Sequence, residues 1–389
     1  MRTITFLVYI DACRYDYITR ENTPFLYELA KEGVFRRVET VPGFTQEAAM
    51  MTGKYPDETG FFTWYRYAPS SSPFLWLRPF GFLGFLREFR FYYPIKVGVR
   101  KVTSLITNRE YQDPAFVPLR VLPYFENISA LLPQGLPNLA SLCRLAKYDC
   151  FEQTVVYGYI GSKTCGALFD PIVKSVESKH PSDLYIIHVG DLDGVGHKFG
   201  PHPELFQQSL RGIDSWISKT YRVARRSFNC NFIVTSDHGM FEVESGIDVE
   251  DRLRHLPLKV PDDYIYFLDS TVARFWFSNE RAGRLVTEQL SRIPNGHILT
   301  QDEKERLHIN FKENTYGELF FWLDKGSLIF PSFFQSIATE KTNGMHGYLG
   351  DSEGALIVYS EENNVGEFTK KDVIPLTDVF CITRALAGF

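Results

Sequence analysis

Short apolar runs alternate with amphipathic stretches along most of the chain. Apolar and β-branched residues dominate Thr3–Ile10, Leu184–Val189 and Asn231–Thr235, a pattern typical of strands that are buried on both faces. Between 203 and 226, apolar positions recur every three or four residues and predict a long helix. Strands that alternate with helices favour a sheet with helices on both sides. The sequence therefore predicts an α/β fold, a three-layer α/β/α sandwich around a mostly parallel central sheet.

Two segments interrupt this alternation. Residues 61–137 are rich in aromatic residues and Arg, and we interpret them as an inserted cap. Residues 245–340 contain three strand-like runs around a helical stretch at 281–293, a pattern that favours a small α+β lobe. The expected organisation is a single domain over 1–389 with these two insertions.

The aromatic segment has three interpretations. Its rings could pack into the core, since large exposed apolar patches are uncommon in soluble proteins. They could also cover a binding site. A third interpretation is peripheral contact with a membrane, because aromatic residues and Arg together suit a membrane interface.

Composition excludes some classes of protein. The 389 residues carry a net charge of −5 without a prominent Lys/Arg run, which gives little support to nucleic-acid binding. The six Cys are scattered and form no CxxC pair, so we expect free thiols in a reducing compartment. The apolar start of the chain predicts a first strand, not a leader, and no apolar run has the length of a membrane span. We therefore expect a cytoplasmic protein, and its oligomeric state stays open.

Polar side chains follow several of the predicted strands. An acid and a His at i and i+4 can reach one cation, and the glycines of the stretch from Asp191 to His197 would let its backbone turn tightly. In an open α/β sheet, loops at the carboxyl ends of the strands meet at one crevice. The side chains expected there are Asp11, Thr45, Asp193, His197, Asp237, His238 and His346.

Each of these residues could instead have a purely structural role. Asp11 and Thr45 could cap helices, Asp237 and His238 could form a turn, and His346 could lie in a solvated loop. Together, mixed His and carboxylate groups suit zinc or a similar ion, and seven ligands suit two metals better than one.

The chain resembles the alkaline phosphatase superfamily, and most of all its type I phosphodiesterase/nucleotide pyrophosphatase branch. The resemblance rests mainly on Asp193-Gly-Val-Gly-His-Lys-Phe-Gly-Pro201, Thr235-Ser-Asp-His-Gly-Met240 and Met345-His-Gly-Tyr348. It implies that Asp193, His197 and His346 hold one metal, while Asp11, Asp237 and His238 hold a second.

The same resemblance implies that Thr45 is the nucleophile and touches the second metal. In this family the nucleophile usually lies nine residues before the Thr of a Thr-Gly pair. Here that position is Gly43, whereas Thr45 lies seven residues before Thr52. Either the loop is shorter by two residues or another residue, such as Thr40, takes the role.

The predicted function is hydrolysis of phosphate esters with two divalent ions, and we expect zinc in preference to Mn²⁺ or Mg²⁺. A phosphodiesterase or pyrophosphatase that forms a phospho-threonine intermediate fits best. A phosphomonoesterase, a phosphoethanolamine-type transferase and a non-catalytic metal-binding protein are the alternatives. The expected partner is a small phosphorylated substrate with a nucleotide, sugar or lipid group, and Asp191 is expected to support the site without binding metal.

Overall fold

A computed structural model describes residues 1–88, 92–108, 116–128, 155–160, 165–178, 180–335, 341–362, 365–367 and 370–388. The strands are β1 Thr3–Ile10, β2 Val34–Glu39, β3 Tyr65–Tyr67, β4 Phe125–Asn127, β5 Val155–Ile160, β6 Leu184–Val189, β7 Asn229–Thr235, β8 Phe241–Glu242, β9 Ser245–Ile247, β10 Tyr264–Leu268, β11 Val272–Phe277, β12 Gly296–Ile298, β13 Leu319–Leu323, β14 Ser327–Ile329, β15 Gly344–Met345, β16 Gly354–Ser360 and β17 Val373–Pro375. The α-helices are α1 Pro24–Glu32, α2 Glu47–Thr52, α3 Pro56–Thr59, α4 Tyr92–Thr107, α5 Cys165–Val176, α6 Asp191–Phe199, α7 Pro203–Ala224, α8 Val249–Arg254, α9 Glu280–Leu290, α10 Gln301–Arg306 and α11 Asp378–Ala387.

Seven strands form the central sheet, in the order β17-β2-β16-β7-β1-β6-β5. The strand β1 lies between β6 and β7 and pairs with both in parallel. The strand β16 is antiparallel to both of its neighbours, while β5 and β17 pair in parallel. The prediction of a mostly parallel sheet is confirmed.

Both faces of this sheet are covered. Alternate residues of β1 point to opposite sides: Phe6 and Val8 belong to one apolar core, and Leu7 and Tyr9 to another. The first core also contains apolar residues of α1, α5 and α7, and the second contains residues of α2 and α11. These two cores on either side of one sheet make the three-layer sandwich that the sequence predicts.

The stretch that starts at Asp191 differs from its prediction. The sequence suggested a tight turn made possible by glycines, but the chain from Asp191 to Phe199 is helical. Gly196 has a packing role instead, because a Cβ added there would lie 2.7 Å from the side chain of Met240. Helical spacing places Asp193 and His197 on the same side of α6 without a turn.

Residues between 264 and 323 form a four-stranded antiparallel sheet, in the order β10-β11-β13-β12, with α9 packed against it. We call this sheet and α9 the lobe. In the predicted cap, β3 pairs with β4, and a 3-10 helix at Leu75–Glu88 is followed by α4. We call residues 61–128 the cap; residues 89–91 and 109–115, like the rest of the predicted insertion up to 137, lie outside the described part. Among the described residues, no helix is long and apolar enough to span a membrane.

Candidate active site

The carboxyl ends of three neighbouring strands supply most of the predicted site residues. Asp11 follows β1, α6 begins two residues after β6, and Asp237 follows β7. Because β1 pairs in parallel with β6 and β7, these three strands end at the same edge of the sheet. The structure therefore brings together residues that are more than two hundred positions apart in the sequence.

One cluster contains Asp193, His197 and His346. The Oδ1 atom of Asp193 lies 3.2 Å from Nε2 of His197 and 3.7 Å from Nε2 of His346. The Nδ1 atom of His197 lies 2.9 Å from the carbonyl oxygen of Gly344. Donation of a proton from Nδ1 to this carbonyl leaves Nε2 free to bind a cation next to Asp193.

His346 reaches this cluster because β15, the two-residue strand before it, lies directly against α6. A Cβ added to Gly344 would lie 2.3 Å from the carbonyl oxygen of Gly196. Only glycine at 344 permits this close approach of two backbones. Residues about 150 positions apart thus complete one cluster.

A second cluster contains Asp11, Asp237 and His238. The Nε2 atom of His238 lies 3.3 Å from Oδ1 of Asp11 and 3.3 Å from Oδ2 of Asp237. Its Nδ1 atom lies 2.7 Å from the carbonyl oxygen of Gly239, which orients the ring in the same way as in His197. Asp237 and His238 are both buried.

The two clusters are in direct contact. The rings of His238 and His346 are stacked, with centroids 3.7 Å apart and an interplanar angle of 2°. Within each cluster, the candidate ligand atoms all lie within 4.8 Å of one another. Two cations bound here would be close neighbours, as in sites where two metals contact one phosphoryl group.

Several buried polar atoms at this edge have no hydrogen-bond partner among the described residues. They are Oδ1 of Asp11, Oγ1 of Thr45, Oδ1 of Asp193, Oδ1 of Asp237 and Nδ1 of His346. An unsatisfied buried polar atom costs roughly 1–3 kcal/mol, so such atoms are uncommon in the interior of a protein. The carboxylate and hydroxyl oxygens are hard donors and the imidazoles borderline donors, a set that fits divalent ions such as zinc.

The electrostatics of the second cluster also favour a cation. Burial, together with the nearby charges of Asp11 and Glu47, raises the pKa of Asp237 well above its ordinary value. Burial opposes the charged form of His238, but Asp237 and Asp11 outweigh it and raise the pKa of the imidazole. A metal ligand must be a neutral imidazole or an ionised carboxylate, so metal binding to this cluster would release protons.

The two histidines of the first cluster have pKa values that are shifted in opposite directions. Burial and repulsion from His238 and His197 lower the pKa of His346 well below its ordinary value, which keeps this imidazole neutral and ready to bind metal. Burial also opposes protonation of His197, but the close contact with the Asp193 carboxylate outweighs burial and raises the pKa of this imidazole.

Thr45 lies just before α2 and is buried, with 3% of its surface exposed. The side chain before it, Phe44, contacts the ring of His346 edge-on, with centroids 5.6 Å apart.

Gly43 has a φ of +109°, and a Cβ there would lie 2.2 Å from the carbonyl oxygen of Phe62. Gly43 occupies the position nine residues before Thr52, where the nucleophile of this family usually lies, and this position therefore requires glycine in this chain. Thr40, in contrast, donates its hydroxyl to the carbonyl of Val41 at 3.4 Å, and the role of Thr45 stays a prediction.

Sequence reasoning missed two residues at this edge, His188 and Glu47. The Nε2 atom of His188 lies 3.4 Å from Oδ2 of Asp11, and its ring stacks on Tyr9 at 4.2 Å. Burial raises the pKa of Asp11, but the nearby His188 and His238 outweigh burial and lower this pKa below its ordinary value. Glu47 begins α2, and burial raises the pKa of its carboxyl. A polar residue inside the apolar run 184–189 was the only signal for His188.

Asp191 belongs to neither cluster among the described residues. It is the first residue of α6, where a carboxylate interacts favourably with the helix dipole. Its expected role in supporting the site stays a prediction.

A cavity of about 350 Å³ opens beside the first cluster. His197 and His346 form part of its wall, and Phe44, Trp64 and Phe334 give it an aromatic lining. Polar groups come from Ser270, Gln335 and Thr342. The cap, the lobe and segments at the carboxyl edge of the central sheet all contribute to this cavity.

The chain matches one protein-family model and is similar to a known human protein. The family model for type I phosphodiesterase/nucleotide pyrophosphatase matches residues 5–76 and 134–349. Human ectonucleotide pyrophosphatase/phosphodiesterase family member 5 is 27% identical over 150 residues, which span 36% of this chain and 30% of the human protein.

Solved structures show the same fold. The structure of human ectonucleotide pyrophosphatase/phosphodiesterase 5 has a TM-score of 0.65 and 18% identity, and the match covers 99% of this chain and 95% of that chain. The murine counterpart, an inactive variant in complex with AMP, also has a TM-score of 0.65 and 18% identity, over 100% of this chain and 96% of that chain.

The matched family consists of two-metal hydrolases of phosphate esters. Its model covers well over half of the chain, so the predicted relationship is confirmed. The chain belongs to the type I phosphodiesterase/nucleotide pyrophosphatase family.

Proposed function

We propose that this protein hydrolyses phosphodiesters or pyrophosphates that carry an aromatic base or a group of similar shape, with Thr45 as the nucleophile and two zinc ions as cofactors. The observation that carries this proposal is the pair of clusters joined by the stacked rings of His238 and His346. The buried hydroxyl of Thr45 has no hydrogen-bond partner in the described part of the chain, and it lies on the loop that packs against His346.

Asp193, His197 and His346 would hold one cation, and Asp11, Asp237 and His238 the other. The cations supply positive charge that stabilises the nucleophilic oxygen and the leaving oxygen. Burial of Thr45 keeps its hydroxyl away from bulk water. Glu47 carries a buried carboxyl atom without a hydrogen-bond partner in the same part of the site.

The reaction takes two steps. First, Oγ1 of Thr45 forms a bond to phosphorus while the bond from phosphorus to the leaving oxygen breaks, and the hydroxyl proton of Thr45 passes to the leaving oxygen. Water then attacks the phospho-threonine, the bond between phosphorus and Oγ1 breaks, and Thr45 regains its hydroxyl. One diester bond and one water become an alcohol and a phosphomonoester.

The cavity beside the first cluster supports a diester substrate over a monoester. Its aromatic rings and uncharged polar groups can surround a second ester group, whereas a monoester would need more positive charge around its oxygens. The inactive murine relative is bound to AMP and carries a threonine-to-alanine substitution. Both features agree with a nucleotide-like substrate and a threonine nucleophile.

Turnover of bis-aryl and mono-aryl phosphates by the zinc-loaded protein tests this proposal. We expect faster turnover of the diester and a fall of at least about a thousandfold in kcat for Thr45→Ala, as is typical when a nucleophile is removed. Thr45→Ser should retain part of the activity, and Thr40→Ala should retain nearly all of it.

Elemental analysis of the same samples is the control. Thr45→Ala should keep both metal ions, since the six remaining ligands are unchanged. Near-full activity in a Thr45→Ala sample with both metals bound would show that Thr45 is not the nucleophile.

A further inference from the structure

Large exposed apolar side chains are concentrated in the cap. Among the described residues, seven large apolar side chains are exposed, and five of these belong to the cap. They are Phe80, Phe82, Val102, Leu105 and Ile106, with exposed fractions between 38% and 82%, and we call them the apolar face. Exposed apolar groups of this density on a soluble domain usually mark a contact surface.

The two elements that carry the apolar face pack against each other. The indole Nε1 of Trp76, in the 3-10 helix, donates to Oγ1 of Thr103 in α4 at 3.1 Å, and Phe80 contacts Trp76 edge-on. Thr103 is fully buried, so this side of α4 faces the 3-10 helix. Val102 and Ile106 are neighbours one turn apart on the exposed side of α4.

This part of the sequence is also strongly basic. Residues 74–109 contain seven Lys or Arg and one Glu, a net charge of +6, whereas the whole chain carries −5. The rest of the chain therefore carries −11. Within α4, Lys96, Arg100 and Lys101 are accompanied by no acidic residue.

A second cavity lies next to the apolar face. It has a volume of about 420 Å³ and contains Phe82, Arg78 and Arg120 in its wall. Arg78 lies over the ring of Tyr124 at 5.1 Å, and Arg120 forms an ion pair with Glu250 at 3.0 Å. Glu250 thus compensates the charge of Arg120, whereas Arg78 places a guanidinium group in the same cavity wall as the exposed Phe82, where a phosphate headgroup would lie.

We propose that the apolar face and the basic residues around it dock the protein on an anionic lipid bilayer. Exposed aliphatic side chains gain free energy in the interfacial region of a bilayer, and Lys and Arg are attracted to anionic headgroups. A nucleic acid would attract the basic residues but offers nothing to Leu105 and Ile106. A second copy of the same surface would bring two segments of charge +6 together, which opposes self-association.

Co-sedimentation of the full chain with vesicles tests this proposal. We expect binding to vesicles that contain phosphatidylglycerol, weak binding to phosphatidylcholine alone, and a decrease of binding as salt rises. Each basic residue near an anionic surface adds about fivefold to binding, so Arg100→Gln with Lys101→Gln should lower it about twenty-fivefold. Leu105→Gln with Ile106→Gln should lower it at least about tenfold.

Matched control variants distinguish a loss of membrane docking from a loss of folding or of positive charge elsewhere on the protein. Arg284→Gln with Arg292→Gln removes two exposed positive charges from the lobe side and should leave vesicle binding unchanged. Leu105→Met with Ile106→Met keeps the apolar character and should also bind. Circular dichroism and turnover of a soluble aryl phosphodiester show whether each cap variant is folded, and neither readout depends on lipid.

Three results would overturn the proposal. The first is that the unaltered protein fails to sediment with anionic vesicles. The second is that the Gln variants of the cap bind as well as the unaltered protein. The third is a dimer in lipid-free solution that the Leu105→Gln and Ile106→Gln changes dissociate, because the surface would then bind a second copy. A failure of the proposed phosphodiesterase activity would remove the turnover readout but would change neither vesicle binding, the dimer test nor circular dichroism.

Discussion

Two groups of buried charges in this protein differ in how they are compensated. In the lobe, the fully buried Arg274 donates through Nε to Oδ2 of Asp269 at 2.7 Å, and through Nη1 to the carbonyl oxygens of Tyr65 and Tyr316 at 3.0 and 3.3 Å. At the edge of the central sheet, Asp237 faces Asp11 and Glu47 as well as His238.

Arg274 and Asp269 form a structural ion pair, whereas the acids at the sheet edge have the properties of a binding site. The charge of Asp269 has a fixed partner of opposite sign, and Arg274 also lies over the ring of Phe267 at 4.7 Å. The acids at the sheet edge, Asp237, Asp11 and Glu47, repel one another. The ion pairs of Asp11 and Asp237 are with histidines, which are charged only when protonated. Buried charge that the protein itself compensates stabilises the fold, whereas buried charge that it leaves uncompensated requires a ligand.

Loss of Arg274 should have the largest effect on stability. Arg274→Met leaves Asp269 buried without its partner, and we expect a decrease of about 3–5 kcal/mol in the free energy of unfolding. Urea denaturation measures this decrease. Arg274→Met combined with Asp269→Leu removes both charges and should recover most of the loss. A stable single variant would mean that the pair is not a structural ion pair.

Removal of metal from the two clusters at the sheet edge should destabilise the protein. With metal at about one hundred times its Kd, binding adds about 2.7 kcal/mol to stability, so a chelator should lower Tm and added zinc should restore it. Differential scanning calorimetry measures both changes. The Arg274→Met variant should retain this response because the pair in the lobe binds no metal. A Tm that neither chelator nor zinc alters would contradict the assignment of the clusters.

His188 should influence the second cluster without binding metal. His188→Phe keeps a ring that can stack on Tyr9 but removes the contact with Asp11, and we expect zinc affinity at that cluster to fall about tenfold to a hundredfold. Isothermal titration of the metal-free protein measures this affinity. The matched control is His308→Phe, since His308 also stacks on a tyrosine, Tyr55, but lies outside both clusters. Equal affinities in the two variants would exclude a positioning role for His188.

The smallest effect is expected from Asp191. Asp191→Ala should retain both metal ions, because Asp191 belongs to neither cluster, whereas Asp193→Ala should lose the ion of the first cluster. Elemental analysis of the two variants compares them directly. Equal losses of metal would show that Asp191 is itself a ligand.

Local patterns in the sequence predicted most of the central layer. The apolar run at Leu184–Val189 has the bounds that the structure gives to β6, and the runs that predicted β1 and β7 fall on those strands. The six candidate ligands were found because each lies near a Gly-containing motif or directly after such a run. Periodicity and strand ends are local properties, so a single sequence contains them.

Other features depend on contacts between distant parts of the chain. The helix at Asp191 was missed because two glycines within seven residues favour a turn, and only packing against Met240 and Gly344 explains why Gly196 is there. The position of His188 beside Asp11 follows from the register of β6 against β1.

The sequence by itself determined the types of residue, their spacing and therefore the fold class and family. The tertiary structure decided which carboxylate faces which imidazole, that His238 and His346 stack, and that the cap exposes apolar side chains. The physical reason is that side-chain distances and exposure arise from how the layers pack on one another, and no local window of sequence contains that information.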